Sequence, residues 1–191
     1  MKQLLIESQR ITGERKIATL IDPNRFNEFF ELLRESTLEP KLKVFLGVAV
    51  SCGARVTEAL RLQVVDIDSQ GYVRIKVLKK RSGKQQYRTA KLHPIVSAMV
   101  QDYIAAQGLR HFSKLFEFSR SWVHRKIKEY FGEHASSHTI ARHSFFSFLL
   151  HNKGLSAEKV SKLMEVSQHV VAAYNHLNTK EELDNLFDEV A

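Results

Sequence analysis

The sequence contains one cysteine, three prolines and one tryptophan among 191 residues, and it has no long apolar run. Cys52 can form no intramolecular disulfide and lies in an apolar stretch, so we expect it to pack as a small hydrophobe in a reducing cytosol. No apolar run approaches the ~18 residues of a transmembrane helix. The N-terminal stretch MKQLLIESQR is too short and too polar for a secretory signal. We therefore expect a soluble, cytoplasmic protein.

Signatures of metal and nucleotide cofactors are missing as well. The chain has no P-loop, no cluster of carboxylates, and no cysteine and histidine residues at metal-ligand spacing, so no metal or other cofactor is expected. No internal repeat or low-complexity stretch divides it. With 43% apolar and 26% charged residues, a chain of this length is expected to form one packed domain, or one domain plus a small appendage, with a charged surface.

Positive charge is in excess and is unevenly distributed. The chain has 29 lysine and arginine residues against 21 aspartate and glutamate residues, a net charge of +8. Residues 69–101 carry eight lysine and arginine residues and no acid, whereas residues 180–191 carry five acids and one lysine. This balance favours a polyanionic partner, with nucleic acid the first candidate and acidic lipid the second. One face is expected to meet phosphate and another to meet solvent or protein.

Hydrophobic periodicity predicts a mainly α-helical protein with one small antiparallel β-sheet, an α+β fold. Helices are expected to begin near Pro23, Pro40, Arg55 and Pro94, and to cover residues 119–131, 139–153, 156–164 and 180–190. GYVRIKVLK, residues 71–79, alternates apolar and cationic residues, which is typical of a strand with one wet, basic face. KQQYRTAKL, residues 84–92, is predicted to pair with it after a turn.

The basic side chains of this hairpin are candidates for contact with a polyanion. On their own they are typical of solvated turn charges, but a lysine at the tip of a hairpin can also reach across a groove as a mobile proton donor. The candidates are Lys79 and Lys80 for that role, and Arg74, Lys76, Arg81, Lys84 and Arg88, with His143 from the helix at 139–153, for contact with DNA.

Arg55 and Glu58 lie one helical turn apart, just after Gly53. One interpretation is a surface ion pair worth a few tenths of a kcal/mol. The other is functional, because a helix N-terminus already favours an anion and a carboxylate one turn on would hold the Arg55 guanidinium in a fixed direction.

Polar residues also begin the apolar helix within SHTIARHSFFSFLL, residues 137–150. His138 and Arg142 are either a solvated helix end or a proton carrier and a second guanidinium on one turn. Tyr174, in VVAAYNHLN, is either a half-buried packing residue or a nucleophile toward phosphorus whose phenolate is stabilised by cations.

The order of these residues resembles that of the tyrosine recombinases, the phage integrase family. The segments that carry the likeness are GARVTEALRL, VLKKRSGK, ARHSFFSFLL and KLMEVSQHVVAAYNHLN, and together they cover about residues 20–180. The resemblance implies the catalytic-domain fold of that family. It also implies site-specific DNA recombination through a 3′-phosphotyrosyl intermediate, with no metal or ATP.

The resemblance carries the family's catalytic roles onto five residues. Arg55 and Arg142 would bind the non-bridging oxygens of the phosphate, Lys80 would protonate the departing 5′ oxygen, His138 would relay the tyrosine proton, and Tyr174 would attack phosphorus. The supporting residues are Glu58 beside the first arginine, Lys79 as the other register of the hairpin lysine, and His169.

Three features depart from the family's pattern: two positions, and an interval before the tyrosine that is about one residue short. The family has a histidine three residues before the second arginine, where this chain has Thr139, and His138 lies four residues before it. One residue is about 100° of rotation on an α-helix. The family's Gly-His pair in the terminal block is here Glu165-Val166, which leaves His169 as the candidate replacement.

The predicted organisation has three parts: an extension or linker at residues 1–20, a catalytic domain at 21–179 and an amphipathic tail helix at 180–191. The tail would pack on its own domain or dock on a neighbouring protomer. The expected partners are double-stranded DNA and further copies of the chain, as a dimer to tetramer on DNA near the nucleoid. The alternatives are a catalytically weakened DNA-binding relative with an accessory role, a type IB topoisomerase and a basic helical regulator.

Overall fold

A computed structural model describes residues 1–12, 14–77 and 85–175, with side chains described for these except at 7–18 and 172–175. The fold is mainly helical with two small antiparallel sheets, which confirms the predicted fold class. Several predicted features lie outside the described residues, namely the hairpin cations Lys79, Lys80, Arg81 and Lys84 and the tail at 180–191.

The helices follow the apolar periodicity of the sequence. Their bounds are α1 Glu28–Glu35, α2 Pro40–Ser51, α3 Val56–Ala59, α4 Pro94–Ala106, α5 Arg120–Phe131, α6 Ser144–Ser147, α7 Ala157–Met164 and α8 Gln168–Asn175. The predicted helix from Arg55 is shorter than expected, since only α3 is helical and a 3₁₀ turn follows at Val64–Asp66. The α8 helix was not predicted. No helix among the described residues has the length and apolarity needed to cross a bilayer.

Helix α2 forms the centre of the core. Nearly every side chain from Leu42 to Ser51 is buried, so this helix is apolar all round, as expected for a helix enclosed on every side. It packs against α1, α4 and α6. At Gly47 the helix leaves room for Val96 of α4, whose methyl groups lie 3.0 Å from where a Cβ would be. Since residues 44–51 are all buried, the C-terminal end of α2 lies inside the domain.

The predicted hairpin is confirmed as two strands, β3 Tyr72–Val77 and β4 Gln86–Lys91. Val73, Ile75 and Val77 of β3 face the core, while Arg74 and Lys76 are exposed. The alternation of apolar and cationic residues therefore separates a buried face from a basic face. The pairing places Lys76 opposite Tyr87 and Ile75 opposite Arg88.

A second sheet lies within the segment that the sequence suggested as an extension or linker. Strands β1 Leu5–Thr12 and β2 Glu14–Ile21 pair in register from Leu5 opposite Ile21 to Thr12 opposite Glu14. Leu4, Leu20 and Ile21 are buried in the common core. The N-terminal segment is thus packed onto the domain by its own apolar residues.

The predicted helix at 139–153 is present but departs from α-helical geometry. Two π-helical segments, His138–His143 and Phe148–Asn152, flank the single α-helical turn of α6. We refer to this continuous element as the 138–152 helix. π-Helical turns are rare and occur frequently at functional sites, because each accommodates an extra residue.

Candidate functional site

The turn after α2 provides two backbone carbonyls that each hold an arginine. The carbonyl of Cys52 accepts a hydrogen bond of 2.7 Å from Arg88 Nη2, and the carbonyl of Gly53 accepts one of 3.0 Å from Arg142 Nη1. Arg55 follows directly as the residue before α3. Residues 52–55 therefore bring together three guanidinium groups from separate parts of the chain, those of Arg55, Arg88 and Arg142. Together with Glu58 they are called here the arginine cluster.

Glycine is required in this turn on two grounds. Gly53 has φ of +54°, a left-handed conformation that disfavours residues with a Cβ. A Cβ here would lie 2.5 Å from Cδ1 of Phe145 and 2.8 Å from Cε of Met164. The neighbouring Cys52 is buried, as predicted, and burial raises the pKa of its thiol to about 12.

Glu58 holds Arg55 at the start of α3. Its Oε2 accepts a hydrogen bond of 2.9 Å from the Arg55 amide, and its Oε1 accepts one of 2.8 Å from Arg55 Nη1. The Glu58 side chain is 1% exposed and that of Arg55 is 29% exposed. The pair is therefore not the surface ion pair considered from sequence. A buried carboxylate fixes a guanidinium that still reaches solvent.

Arg142 contacts the same carboxylate at its second oxygen, Oε2, whereas the Arg55 guanidinium binds Oε1. Its Nη1 lies 3.8 Å from Glu58 Oε2, its side chain is 1% exposed, and its guanidinium lies 5.2 Å from the Phe146 ring centroid. Glu58 thus lies between Arg55 and Arg142, which are far apart in sequence. The structure brings together the two arginines and the carboxylate that the sequence singled out.

Arg88 is a third guanidinium in this cluster. It was predicted to contact DNA, as were Arg74 and Lys76, and the structure pairs it with the inward-facing Ile75 and leaves it 6% exposed. Burial lowers the pKa of Arg88, and the charge of Glu58 acts in the opposite direction. Among the described residues, Glu58 thus lies near three guanidiniums, those of Arg55, Arg88 and Arg142.

The π-helical geometry bears on the position of His138. A π-helix closes its hydrogen bonds at i→i+5 rather than i→i+4, so each residue rotates less about the axis than in an α-helix. His138 lies four residues before Arg142 within such a segment. Four residues there rotate by less than four residues of an α-helix, which brings His138 closer to the direction of a residue three before Arg142. The side chain of His138 is exposed, and its ring lies 4.5 Å from that of His143, five residues on.

Thr139 and His143 are buried rather than presented to solvent. Thr139 Oγ1 accepts a hydrogen bond of 3.0 Å from the Ser136 amide and donates one of 3.1 Å to the Ser136 carbonyl, which caps the start of the 138–152 helix. His143, predicted to contact DNA, is 9% exposed and packs edge-on against His138. The exposed histidine of this turn is His138.

Ser144 connects the N-terminal hairpin to this helix. Its Oγ accepts a hydrogen bond of 2.8 Å from the Ile21 amide and donates one of 3.0 Å to the Thr139 carbonyl. Ser144 is fully buried. The end of β2 is therefore anchored two residues after Arg142.

Tyr174 lies on α8, and its side chain is outside the described residues. Helix α8 packs against α6, which begins two residues after Arg142, and against α7. His169, in the first turn of α8, is exposed. Glu165 ends α7 with φ of 51°, the left-handed conformation usual for glycine at this position, so the family's glycine is replaced without loss of the turn.

Two of the predicted DNA-contacting residues lie on the exposed face of the β3–β4 hairpin. Arg74 is 63% exposed, with its Nη2 3.6 Å from Asp66 Oδ1 and its guanidinium 5.1 Å from the Tyr87 ring centroid. Lys76 is exposed beside it. Within residues 1–12, 14–77 and 85–175, no group of three histidine, cysteine or acidic side chains is arranged to bind a metal.

Comparison with known proteins gives a family match and a consistent set of structures. The model of the phage integrase family matches residues 19–181. XerH recombinase bound to palindromic difH substrate, in a post-cleavage complex, is 17% identical with a TM-score of 0.66, over 85% of this chain and 51% of its own. XerA recombinase is 17% identical with a TM-score of 0.66, over 88% of this chain and 63% of its own.

A third structure has a more similar length. The catalytic domain of bacteriophage HP1 integrase is 15% identical with a TM-score of 0.59, over 87% of this chain and 93% of its own. The chain thus has the fold of a tyrosine recombinase catalytic domain, and it spans between half and two thirds of the XerH and XerA chains. No curated protein sequence matches it.

Proposed function

The chain belongs to the phage integrase family, and on that premise we propose that it is a tyrosine recombinase that cleaves and rejoins DNA through Tyr174. The observation that carries the proposal is the meeting of Arg55 and Arg142 at one buried carboxylate, Glu58. Two guanidiniums fixed in this way can bind the two non-bridging oxygens of a phosphodiester.

The charge balance of the cluster supports an anionic substrate. Arg142 and Arg88 are buried, and burial of a cation is unfavourable unless an anion compensates it. Within the described residues, Glu58 contacts both Arg55 and Arg142. A phosphodiester that binds at Arg55, the part-exposed member, would bring a further negative charge to the cluster. In the transition state, where negative charge on the phosphoryl oxygens increases, this stabilisation would grow.

The proposed chemistry exchanges one phosphodiester for another. The Tyr174 oxygen attacks phosphorus and forms the 3′-phosphotyrosyl bond while the bond to the 5′ oxygen breaks. His138 takes the phenol proton, and Lys80, or Lys79 in the other hairpin register, gives a proton to the 5′ oxygen. Attack by the 5′-hydroxyl of another strand reverses the step. The energy of the bond is retained, so the exchange requires no metal and no ATP.

The proposed partners are double-stranded DNA and other copies of the chain. The XerH structure contains a DNA substrate, and the Tn1549 integrase was solved with transposon right-end DNA. Strand exchange between two duplexes needs a nucleophile for each strand, which supports assembly as a dimer or tetramer on DNA. The acidic tail at 180–191 is the proposed contact between protomers, with packing on its own domain as the other outcome.

The test is the capture of a covalent protein–DNA adduct. The chain is incubated with a pool of duplexes of randomised sequence, nicked so that cleavage releases a short fragment with a free 5′-hydroxyl. Loss of that fragment prevents religation and leaves the protein attached to the 3′ phosphate. We expect a labelled band on a denaturing gel, with DNA attached to the peptide that contains Tyr174. The Tyr174→Phe variant should give no adduct, whereas Tyr72→Phe, which removes an exposed phenol from β3, should behave as the native chain.

Two outcomes would contradict the proposal. An adduct that persists in Tyr174→Phe would show that another residue is the nucleophile. DNA binding without any adduct across the randomised pool would instead favour an accessory role, for which the replacement of the family's Gly-His pair by Glu165-Val166 is the motivation.

A further inference from the structure

A cleft of about 220 Å³ opens beside Glu58, between the segment that follows α3 and the exposed face of the β3–β4 hairpin. Besides Glu58, its polar and aromatic lining consists of Arg61, Gln63, Asp66, Arg74, Lys76 and Tyr87. The cleft thus shares a wall with the arginine cluster but is formed largely by residues with no role in it. Its volume is below the roughly 300–1,000 Å³ of sites for drug-sized ligands, which suits one small group.

The carboxylates of the cleft are already engaged. Asp66 Oδ2 accepts a hydrogen bond of 3.0 Å from the Gln63 amide, and Asp66 Oδ1 lies 3.6 Å from Arg74. Glu58 is held between Arg55 and Arg142. Arg61 and Lys76 are exposed cations on the same cleft. A ligand that enters therefore meets an excess of positive charge.

Arg74 is held in the cleft from two sides. Its guanidinium lies 5.1 Å from the Tyr87 ring centroid, and its Nη2 lies 3.6 Å from Asp66 Oδ1. Tyr87 itself is fixed opposite Lys76 by the pairing of β3 with β4, and it remains 49% exposed. A guanidinium held against a ring loses less conformational freedom when it binds an anion.

We propose that this cleft binds a single DNA phosphate next to the one held by the arginine cluster. Arg61 and Lys76 would bind the phosphate jointly, with Arg74 beside them, and Tyr87 would act as the positioning residue for Arg74. The proposal rests on the proposed function for its ligand. It adds Arg61 to the DNA-contacting residues, gives Tyr87 a positioning role and assigns Lys76 to one defined phosphate.

The test is the salt dependence of binding to a fluorescein-labelled duplex of mixed sequence, measured by anisotropy in the Tyr174→Phe background. Each neutralised phosphate contributes about 0.9 to the slope of log affinity against log salt. Since Arg61 and Lys76 bind one phosphate, the double variant Arg61→Ala, Lys76→Ala should lower the slope by about 0.9, with smaller losses in each single variant. Arg34→Ala, which removes one positive charge from α1 as each single variant removes one from the cleft, should leave the slope unchanged.

Two results would overturn this subsite. The first is an unchanged slope in the double variant. The second is a loss of about 1.8, which would mean that Arg61 and Lys76 contact two separate phosphates. Because binding is measured without Tyr174, the outcome is independent of the adduct assay. If the slope changes as expected but no adduct forms, the chain binds DNA at this subsite and the proposed cleavage is contradicted. If an adduct forms but the slope does not change, only the subsite is contradicted.

Variants of two exposed tyrosines test the positioning role. Tyr87→Phe keeps the ring under Arg74 and should bind the duplex as the parent does, whereas Tyr87→Ala should bind it several-fold more weakly. Tyr72→Ala is the matched control, because Tyr72 lies on the same face of the hairpin with Lys91 Nζ 3.8 Å from its ring centroid, outside the cleft. Equal losses in Tyr87→Ala and Tyr72→Ala would show that any ring on this face serves equally and would overturn the assignment.

Discussion

The guanidinium of Arg142 lies 3.8 Å from the carboxylate of Glu58, and both side chains are 1% exposed. Removal of the Glu58 charge would take this carboxylate away from a buried guanidinium, which is unfavourable. Arg55 contacts the same carboxylate from the side of solvent. One residue thus sets the position of both arginines.

Replacement of this carboxylate should be strongly destabilising. Glu58→Gln keeps the shape of the side chain but removes its charge, so we expect a loss of about 3 kcal/mol or more in the free energy of unfolding. Asp66→Asn is the matched control, because Asp66 caps the Gln63 amide as Glu58 caps that of Arg55 but faces the exposed Arg74. Urea denaturation of both variants gives the comparison. Equal losses would contradict the dependence of Arg142 on Glu58.

Gly53→Ala should cost more than the same substitution at another left-handed glycine. At Gly53 and Gly108 the φ angles are +54° and +59°, so both substitutions carry the backbone penalty of about 1–2 kcal/mol. At Gly108 a Cβ meets nothing within 4 Å, whereas at Gly53 it collides with Phe145 and Met164. Thermal denaturation should therefore show a larger loss for Gly53→Ala. A similar loss at both sites would mean that the neighbours of Gly53 adjust freely.

Substitution of the two serines at the ends of α6, Ser144 and Ser147, should have different effects on stability. Ser144→Ala leaves the buried Ile21 amide without its acceptor and should cost about 1–3 kcal/mol. Ser147 is equally buried, but its Oγ has no hydrogen-bond partner within the described ranges of the chain, so Ser147→Ala should be neutral or slightly stabilising. The free energies of unfolding in urea decide the matter. A loss at Ser147 as large as that at Ser144 would contradict the assignment.

His93 should make the protein less stable in mild acid. Burial lowers the pKa of His93, whose ring stacks on Phe30 with the centroids 4.3 Å apart. The folded state therefore binds the proton less tightly than the unfolded state does. The contribution of His93 is complete above about pH 6.5, the value for an unperturbed histidine, and is lost as the pH falls below it.

The measurement is urea denaturation at neutral pH and in mild acid. His93→Phe keeps the stacked ring and should reduce the loss of stability on acidification. His111→Phe, at an exposed position, is the control and should retain the loss shown by the native chain. An unchanged pH dependence in His93→Phe would contradict the prediction.

Much of the fold and of the arginine cluster could be predicted because local patterns carry them. Alternation in β3, apolar periodicity in α5 and α7, and the spacing of Arg55 and Glu58 are each visible in a few residues. The N-terminal hairpin was missed because its strands contain ESQR and ERK, which give no continuous alternation of apolar and polar residues.

The position of Arg88 depends on register rather than on composition. Eight residues, 78–85, separate β3 from β4, so the sequence alone does not fix which residues pair. The π-helical turns at His138–His143 are beyond local pattern for a similar reason. A π-helical turn has i→i+5 hydrogen bonds where an α-helix has i→i+4, and both occur within the same apolar helix. Packing against other elements decides which of the two forms.

The anchoring of β2 through Ser144 has a practical consequence for anyone who wishes to shorten this protein. Likeness to the family begins at residue 19, so a truncation guided by that likeness would delete Leu4, the whole of β1 and most of β2. The truncation would remove Leu5, which pairs with Ile21 in the N-terminal sheet. Since the Ile21 amide donates a hydrogen bond to Ser144, the contact between β2 and the helix that contains Arg142 would be weakened. A variant that lacks residues 1–18 would then not represent the native chain in an assay of DNA cleavage.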